Sequence, residues 1–247
     1  MWYHICVTKL DRRYDMIKLC VFDLDGTTVN SLNSIAYFAN ETLKRFGLRT
    51  FSVDEYRTLA GGGAKKLIRN LVNATGADEA LYEPMLNDWV TSYDNDFLYL
   101  TEPYDGVSEM LGALRQKGIH TAIVTNKHGP TGKKICDTLF GTDGELLEVC
   151  VSAYPGMVLK PAPDEILKLM DRYGVGKNEC MYCGDHTIDM VTGKAAGVLT
   201  VGVLWGFHTE EALRAAGADA IAKHPSDIVA LAENGALNAS YDEQSDK

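Results

Sequence analysis

Leu19-Cys20-Val21-Phe22 is a run of four apolar residues that ends abruptly in Asp23-Leu24-Asp25-Gly26, and no other stretch limits the possible folds so tightly. An apolar run bounded by a turn signal reads as a strand buried on both faces, which belongs in a parallel sheet. Ligands of such sheets bind just beyond the carboxyl ends of the strands. Asp23 and Asp25 sit at that end. One residue apart, they project to the same side of an extended backbone, and two carboxylates so close repel unless a cation or a shared proton lies between them. A divalent metal is the simplest neutraliser. Gly26 allows a sharp turn, and Thr27, Thr28, Asn30 and Ser31 can cap the helix that follows. The competing reading of Asp-Gly, a hairpin turn, calls for an alternating strand directly afterwards, and none follows.

Residues 31–46 carry Ile35, Phe38, Ala39, Leu43 and Phe46 at helical spacing and stop at Gly47. Ser52-Val53-Asp54-Glu55 is a capping box for a short helix reaching about Leu59. After Gly61-Gly62-Gly63 one helix presents Leu67, Ile68, Leu71 and Val72, and the next presents Leu81, Met85, Leu86, Trp89, Val90 and Tyr93. Nothing in 31–100 reads as a buried strand, so the segment is expected to be an inserted all-helical cap. Beyond Pro103-Tyr104-Asp105-Gly106 the pattern alternates, with helices expected at 107–117, 131–139, 164–173, 188–196, 210–216 and 227–231. Strands are expected at 119–124, 148–151, 180–183, 199–204 and 218–222. Such alternation predicts an α/β fold: a Rossmann-like, doubly wound parallel sheet built from 16–30 and 101–234, with helices on both faces. Residues 1–15 lack a period and are expected to be a disordered, dispensable extension; 235–247 reads as a polar tail.

Hydrophobic residues make up 46% of the 247, enough for a full-sized core. A net charge of −10 with no basic run argues against nucleic acid or an anionic membrane as partner, so an anionic substrate needs specific groups to hold it. No apolar stretch approaches a membrane span, the first residues are not a signal peptide, and the expected location is cytoplasmic. The six cysteines lie mostly in apolar runs, as free buried thiols do. Cys180 and Cys183 are three apart on an expected strand and so face opposite sides, which argues against a metal or redox pair. His4, His120, His128, His208 and His224 show no ligand spacing and are read as structural.

The residues just past the strands belong together. Asp23 and Asp25 follow the first; Thr125 closes another, and its hydroxyl with the next N–H can hold an anion. Lys160 stands in Lys-Pro-Ala-Pro, and Gly184-Asp185-His186-Thr187-Ile188-Asp189 brings a second carboxylate pair. Singly, each has an ordinary explanation as a cap or a surface charge. Jointly they offer carboxylates to a hard cation and a threonine and lysine to phosphate oxygens.

Asp-Leu-Asp-Gly-Thr, Val-Thr-Asn, Lys-Pro-Ala-Pro and Gly-Asp-x-x-x-Asp, in that order, resemble the four motifs of the haloacid dehalogenase superfamily. The resemblance runs from Met16 to about Leu231. Tyr56-Arg57 before the glycine run, Pro103-Tyr104-Asp105-Gly106-Val107, and Ala196-Gly197 with Val203-Leu204-Trp205-Gly206 look most like phosphoglycolate phosphatases and near relatives. The resemblance implies a Mg²⁺-dependent phosphatase acting on a small phosphorylated metabolite through an aspartyl-phosphate. Asp23 would be the nucleophile and Asp25 the acid and later base. Mg²⁺ would be held by Asp23, the backbone carbonyl of Asp25 and Asp185, with Asp189 in support, while Thr125, Asn126 and Lys160 orient the phosphoryl group. In the cap, Arg57, Gly61, Gly62, Gly63 and Lys65 combine backbone N–H groups with positive charge, which suits a small anionic leaving group under a mobile lid. Relatives often carry Ser or Thr in place of His186, read here as a loop imidazole facing solvent, and Leu in place of Thr28. A phosphomutase of the same superfamily remains open, as does a non-enzymatic phospho-accepting receiver module, though a receiver has no use for a cap.

Overall fold

The computed structural model describes residues 16–141 and 146–234, so the expected extension 1–15 and tail 235–247 lie outside the described residues. Strand β1 (Leu19–Phe22) is buried along its whole length. The chain then passes through β2 (Val29–Asn30), α1 (Leu32–Arg45), α2 (Tyr56–Leu59), α3 (Ala64–Thr75), α4 (Tyr82–Asn95) and β3 (Glu102–Pro103). It returns to the core as α5 (Val107–Gln116), β4 (His120–His128), α6 (Gly129–Phe140), β5 (Val149–Ala153), α7 (Asp164–Tyr173) and β6 (Cys180–Gly184). The last elements are α8 (Thr187–Ala196), β7 (Leu199–Val203), α9 (Glu210–Ala215), β8 (Ala220–Ala222) and α10 (Pro225–Asn234).

Six strands form one parallel sheet in the order β5-β4-β1-β6-β7-β8. β1 pairs with β4 on one edge and β6 on the other, so the chain winds away to one side and comes back on the opposite side. That reversal leaves a crevice at the carboxyl end of β1, where the loops from β1, β4 and β6 meet. The strands' alternation feeds two cores. Leu19, Val21, Cys180 and Tyr182 pack with Ile166 and Leu169 of α7, whereas Cys20, Phe22, Met181 and Cys183 join the core on the other face. Cys180 and Cys183 therefore face opposite ways, as the period of two requires.

The α/β expectation with a helical insertion is met. Within the insertion α1 and α4 are tied by Arg45, which donates to Asp88 at 2.6 Å, and by the Thr42 hydroxyl, which reaches the same carboxylate at 2.6 Å. The capping box forms reciprocally: Ser52 N–H donates to Glu55 Oε2 at 2.7 Å and Glu55 N–H to Ser52 Oγ at 3.4 Å. Ile35, Leu67, Trp89 and Tyr93 of the cap belong to the same buried cluster as Phe22, Leu24 and Val29 of the core.

Two features differ from expectation. β2 and β3 pair antiparallel, Val29 with Pro103 and Asn30 with Glu102, and so fasten the two linkers of the cap side by side. Two-residue strands have no period to read. β4 also runs to His128, beyond the expected end at 124, with an irregular register between Val124 and His128.

Gly26 makes the turn that separates β1 from the cap, at φ +83°, and a Cβ there would lie 2.2 Å from Asp185 Oδ2. Asp185 is itself buried and hydrogen-bonded, so it has nowhere to move. Gly26→Ala is expected to lower unfolding stability by about 2 kcal/mol or more in urea denaturation. An unchanged midpoint would mean that the turn tolerates a side chain and does not fix the geometry of the loop.

Candidate active site

Four segments deliver charged side chains to the crevice. From the β1 loop come Asp23 and Asp25, and from the end of β6 come Asp185 and Asp189; Thr125, Asn126 and Lys127 stand on the last part of β4, and Lys160 on the loop before α7. All of them line one cleft of about 680 Å³ counted out to its mouth. Lys160 Nζ lies 2.8 Å from Asp23 Oδ1 and 2.8 Å from Asp189 Oδ1, bridging the first and last motifs. Asn126 holds the lysine's backbone: its amide oxygen accepts from Lys160 N–H at 2.9 Å and its amide nitrogen donates to Lys160 C=O at 3.1 Å. Asp189 also accepts from the Tyr182 hydroxyl at 2.9 Å and from His186 N–H at 3.0 Å. Asp185 accepts from the Thr27 hydroxyl at 2.8 Å and from Phe207 N–H at 2.9 Å.

Asp25 turns to different partners. Its carboxylate accepts from the Ser31 hydroxyl at 2.6 Å and from Lys127 Nζ at 3.0 Å, and Lys127 donates in turn to the Tyr93 hydroxyl of α4 at 2.9 Å. Burial works against the charge on Lys127, but Asp25 and Tyr93 outweigh it and hold the ammonium well above its ordinary pKa. The Asp25 side chain is thus outside the carboxylate cluster, and its expected part in metal binding rests on its backbone carbonyl.

Asp23, Asp185 and Asp189 each bring a carboxylate oxygen within 4.8 Å of the others, all three buried. Three carboxylates against the one ammonium of Lys160 leave an excess of two negative charges in a low-dielectric site. The strain shows in their titration. Burial pushes Asp23 from 3.8 up to about 7; Lys160 pulls the other way, while Asp189 and Asp25 add to the rise. Asp185 is raised well above the usual carboxylate range by burial, then by Asp189 and Asp23. A purely oxygen donor set with two surplus charges fits a hard divalent cation, and fits no soft metal.

The glycine run brings the cap onto this site. Gly61, Gly62 and Gly63 all have φ near +90°, and a Cβ on Gly63 would lie 2.7 Å from Asn126 O, while one on Gly61 would lie 2.5 Å from the His186 ring. Side chains there would push the cap off the β4 and β6 loops. Arg57 and Lys65, by contrast, lie outside the cleft wall. Arg57 donates to Gly206 C=O at 2.8 Å and pairs with Asp54 at 3.3 Å. His186 corrects the expectation of a solvent-facing ring: it is half-buried in the cleft wall, its Nδ1 accepts from Ile188 N–H at 3.0 Å to cap α8, and its ring lies 4.0 Å from that of His208. Burial, then His208, holds its pKa down to about 4. Sequence reasoning missed Lys127, whose only signal was its position two after Thr125, and missed Trp89 and Ile35 as cleft residues because helical spacing marked them simply as core.

The family model described as haloacid dehalogenase-like hydrolase matches residues 20–203. The phosphoglycolate phosphatase of Aquifex aeolicus is 30% identical over 218 residues, 88% of this chain and 98% of that protein. The N-acetylmuramic acid 6-phosphate phosphatase of Pseudomonas aeruginosa is 26% identical, over 86% of this chain and 93% of its own length. Among solved structures, one from Haemophilus somnus described as a predicted phosphoglycolate phosphatase superposes with a TM-score of 0.81 at 26% identity, covering 88% of this chain and 98% of that one. CbbY from Rhodobacter sphaeroides, in complex with phosphate, shares the fold with a TM-score of 0.67 at 21% identity, over 86% and 96% of the two chains.

The raised pKa of Asp23 sets a sign. A carboxyl at about 7 in the fold and near 3.8 in the unfolded chain stabilises the metal-free protein below about 4, and this contribution is lost as pH rises through about 7. Charge repulsion is therefore greatest, and cation binding most stabilising, on the alkaline side. Millimolar Mg²⁺ is expected to raise the Tm of EDTA-stripped protein by roughly 5 °C at pH 8 and by roughly 1 °C at pH 5.5. Equal shifts at both pH values, or none, would remove these carboxylates as the cation's ligands.

Proposed function

This chain belongs to the haloacid dehalogenase-like hydrolases, and we propose that within them it is a Mg²⁺-dependent phosphomonoesterase that cleaves a small phosphorylated metabolite through an aspartyl-phosphate. The observation that carries the reading is the pairing of two unlike aspartates in one cleft. Asp23 stands beside Lys160 in the carboxylate cluster, and Asp25 is held apart by Ser31 and Lys127. Asp23 attacks phosphorus; the bond from phosphorus to the ester oxygen breaks, and Asp25 delivers a proton to the departing oxygen. Asp25 then takes a proton from the water that opens the phospho-aspartate, returning both groups to their starting states. Lys160 and the Thr125 hydroxyl, with the N–H groups beside it, orient and neutralise the phosphoryl oxygens. Asp23, Asp185 and the Asp25 carbonyl, supported by Asp189, would hold Mg²⁺, which would supply positive charge against the two anions that meet in this step.

Small size is supported by the cap, whose glycine loop stands against the β4 and β6 loops and leaves a cleft fit for a metabolite. The relatives named phosphoglycolate phosphatase and N-acetylmuramic acid 6-phosphate phosphatase support the same substrate class, a phosphate ester of a small alcohol. A cytoplasmic location accords with the free thiols Cys20, Cys136, Cys150, Cys180 and Cys183.

With Mg²⁺ and a chromogenic aryl phosphate, Asp23→Asn is expected to lose about 10³-fold or more of kcat while keeping the wild-type circular dichroism. A folded Asp23→Asn protein with its rate intact would sink the nucleophile. Asp25→Asn should cost alkyl phosphates about 10²–10⁴-fold and aryl phosphates clearly less, because a phenolate departs without a proton. Losses that are the same for both leaving groups would remove Asp25 as the acid.

A further inference from the structure

Away from the cleft, two nucleophilic side chains meet on neighbouring elements. Among the described cysteines Cys20, Cys136, Cys180 and Cys183 are buried, and Cys150 alone is partly exposed. It stands on β5, an edge strand of the sheet. Helix α6 lies against that strand, and the Cys136 thiol donates to Cys150 Sγ at 3.0 Å. The seam around them is tight. A Cβ on Gly132 of α6 would lie 2.7 Å from Ser152 Oγ, and one on Gly129 would run into the Tyr154 ring. While the two elements stay packed, neither sulfur can drift far from the other.

The two thiols are chemically unlike. The hydrogen bond from Cys136 holds the Cys150 pKa below its ordinary value against the effect of burial; Ser152 Oγ at 3.4 Å and the Lys133 ammonium help, and Asp137 opposes. The same bond, then burial, raises Cys136 well above the usual range. Because the thiolate is the nucleophile, Cys150 is the sulfur that reacts first and Cys136 the one that waits beside it. Burial pushes Cys180 up to about 12 and raises Cys20 and Cys183 well above the ordinary value, which leaves all three inert.

The geometry points to Cys150 as the site at which hydrogen peroxide oxidises this chain, and to Cys136 as the thiol that converts the product into a disulfide between α6 and β5. The Cys150 thiolate attacks one peroxide oxygen. The O–O bond breaks, a sulfenic acid forms, and the departing hydroxide takes up the proton that Cys150 released. Cys136 sulfur then attacks Cys150 Sγ; the S–O bond breaks, the S–S bond forms, and the hydroxyl leaves with the Cys136 proton as a second water. Two sulfurs lose two electrons, and peroxide is reduced to two waters. In a thiol-reducing compartment the pair stands open and closes only under oxidant. Helix α6 follows the part of β4 that bears Thr125, Asn126 and Lys127, and β5 leads to the loop that bears Lys160. The bond therefore fastens together the two segments that meet at the phosphoryl end of the cleft.

The test uses the full chain carrying Cys6→Ser, because Cys6 lies outside the described residues. The reduced protein is freed of reductant, treated with a few equivalents of hydrogen peroxide, alkylated, and mapped by mass spectrometry without reduction. One linked pair is expected, joining the peptides that hold Cys136 and Cys150, formed about 10-fold faster than any reaction at Cys20, Cys180 or Cys183 and reopened by dithiothreitol. Closing this loop should raise Tm by about 5 °C, through the entropy it removes from the unfolded chain. When Cys136→Ser is added, the sulfenic acid has no thiol to resolve it, and dimedone should label Cys150 about 10-fold more than in the parent. Faster oxidation of another described cysteine, a link between two chains instead of within one, or Cys150 left as sulfenic or sulfinic acid in the parent overturns the inference. An unreacted pair in folded protein, or a linked protein whose Tm has not risen, does so too. The mapping replaces neither sulfur, so it decides the matter even where Cys136→Ser fails to fold.

Discussion

Lys160 is the pivot of the molecule. Its ammonium is the one positive charge set between Asp23 at the end of β1 and Asp189 in the first turn of α8, so it joins segments 166 residues apart in sequence at 2.8 Å on either side. Burial opposes the charged form of Lys160, yet the two carboxylates outweigh burial and raise its pKa well above the ordinary value. The lysine cannot be neutral here. Neither can the carboxylates all be ionised comfortably without more positive charge, and that standing imbalance makes the site ready for a divalent cation and a phosphate. Much of the surrounding hydrogen bonding serves to hold this arrangement in place: Asn126 fixes the lysine's backbone, Tyr182 and His186 N–H fix Asp189, and Thr27 with Phe207 N–H fixes Asp185.

The parallel sheet follows from the same requirement. Charges of this kind must be carried on elements that do not shift, and the buried strands β1, β4 and β6 place their loops together because their central positions in the sheet leave no other exit. This is why the core was legible in the sequence. Uninterrupted apolar runs ending in Asp23, Thr125 and Asp185 carry both the strand and the site in one signal, and the alternation of helix and strand prescribes the topology. Cys180 and Cys183 could be placed on opposite faces from spacing alone. Boundaries were legible only to within a few residues, since the end of β4 bends through an irregular register instead of stopping at Val124.

Less legible were contacts whose partners lie far along the chain and share no period with it. The ring of His186 looks like any loop imidazole until His208, 22 residues later and beyond β7, is folded against it. The β2 and β3 ribbon rests on two residues from each linker, too few for a pattern. Arg57 beside a glycine run suggested an anion site, but a long side chain takes the acceptor nearest to it, and the fold puts Gly206 C=O at 2.8 Å. In the cap, helical periodicity says which residues are buried but does not distinguish burial against another helix from burial against a cleft. Trp89 and Ile35 therefore read as core, and only the fold shows them on the cleft wall.

The division of labour between the two parts of the chain comes down to where charge is allowed. Core loops concentrate it, with every cation matched to a carboxylate; the cap wall has none. Several contacts cross the division: Lys127 donates to the Tyr93 hydroxyl of α4 and so joins it to Asp25, His128 Nε2 lies 2.6 Å from Asp94 of α4, and Arg57 donates to Gly206 C=O. Because Lys127 is nearly fully buried, with its side chain 5% exposed, it cannot turn to solvent if α4 moves away, and it would keep Asp25 while losing the phenol. The position of the cap helix and the hydrogen bonding of Asp25, the acid of the proposed reaction, are thereby linked through a single ammonium. In the reaction proposed above, a cap joined to Asp25 through Lys127 couples its position to the proton-transfer half, while its tie from Asp94 to His128 touches neither Asp23 nor Lys160.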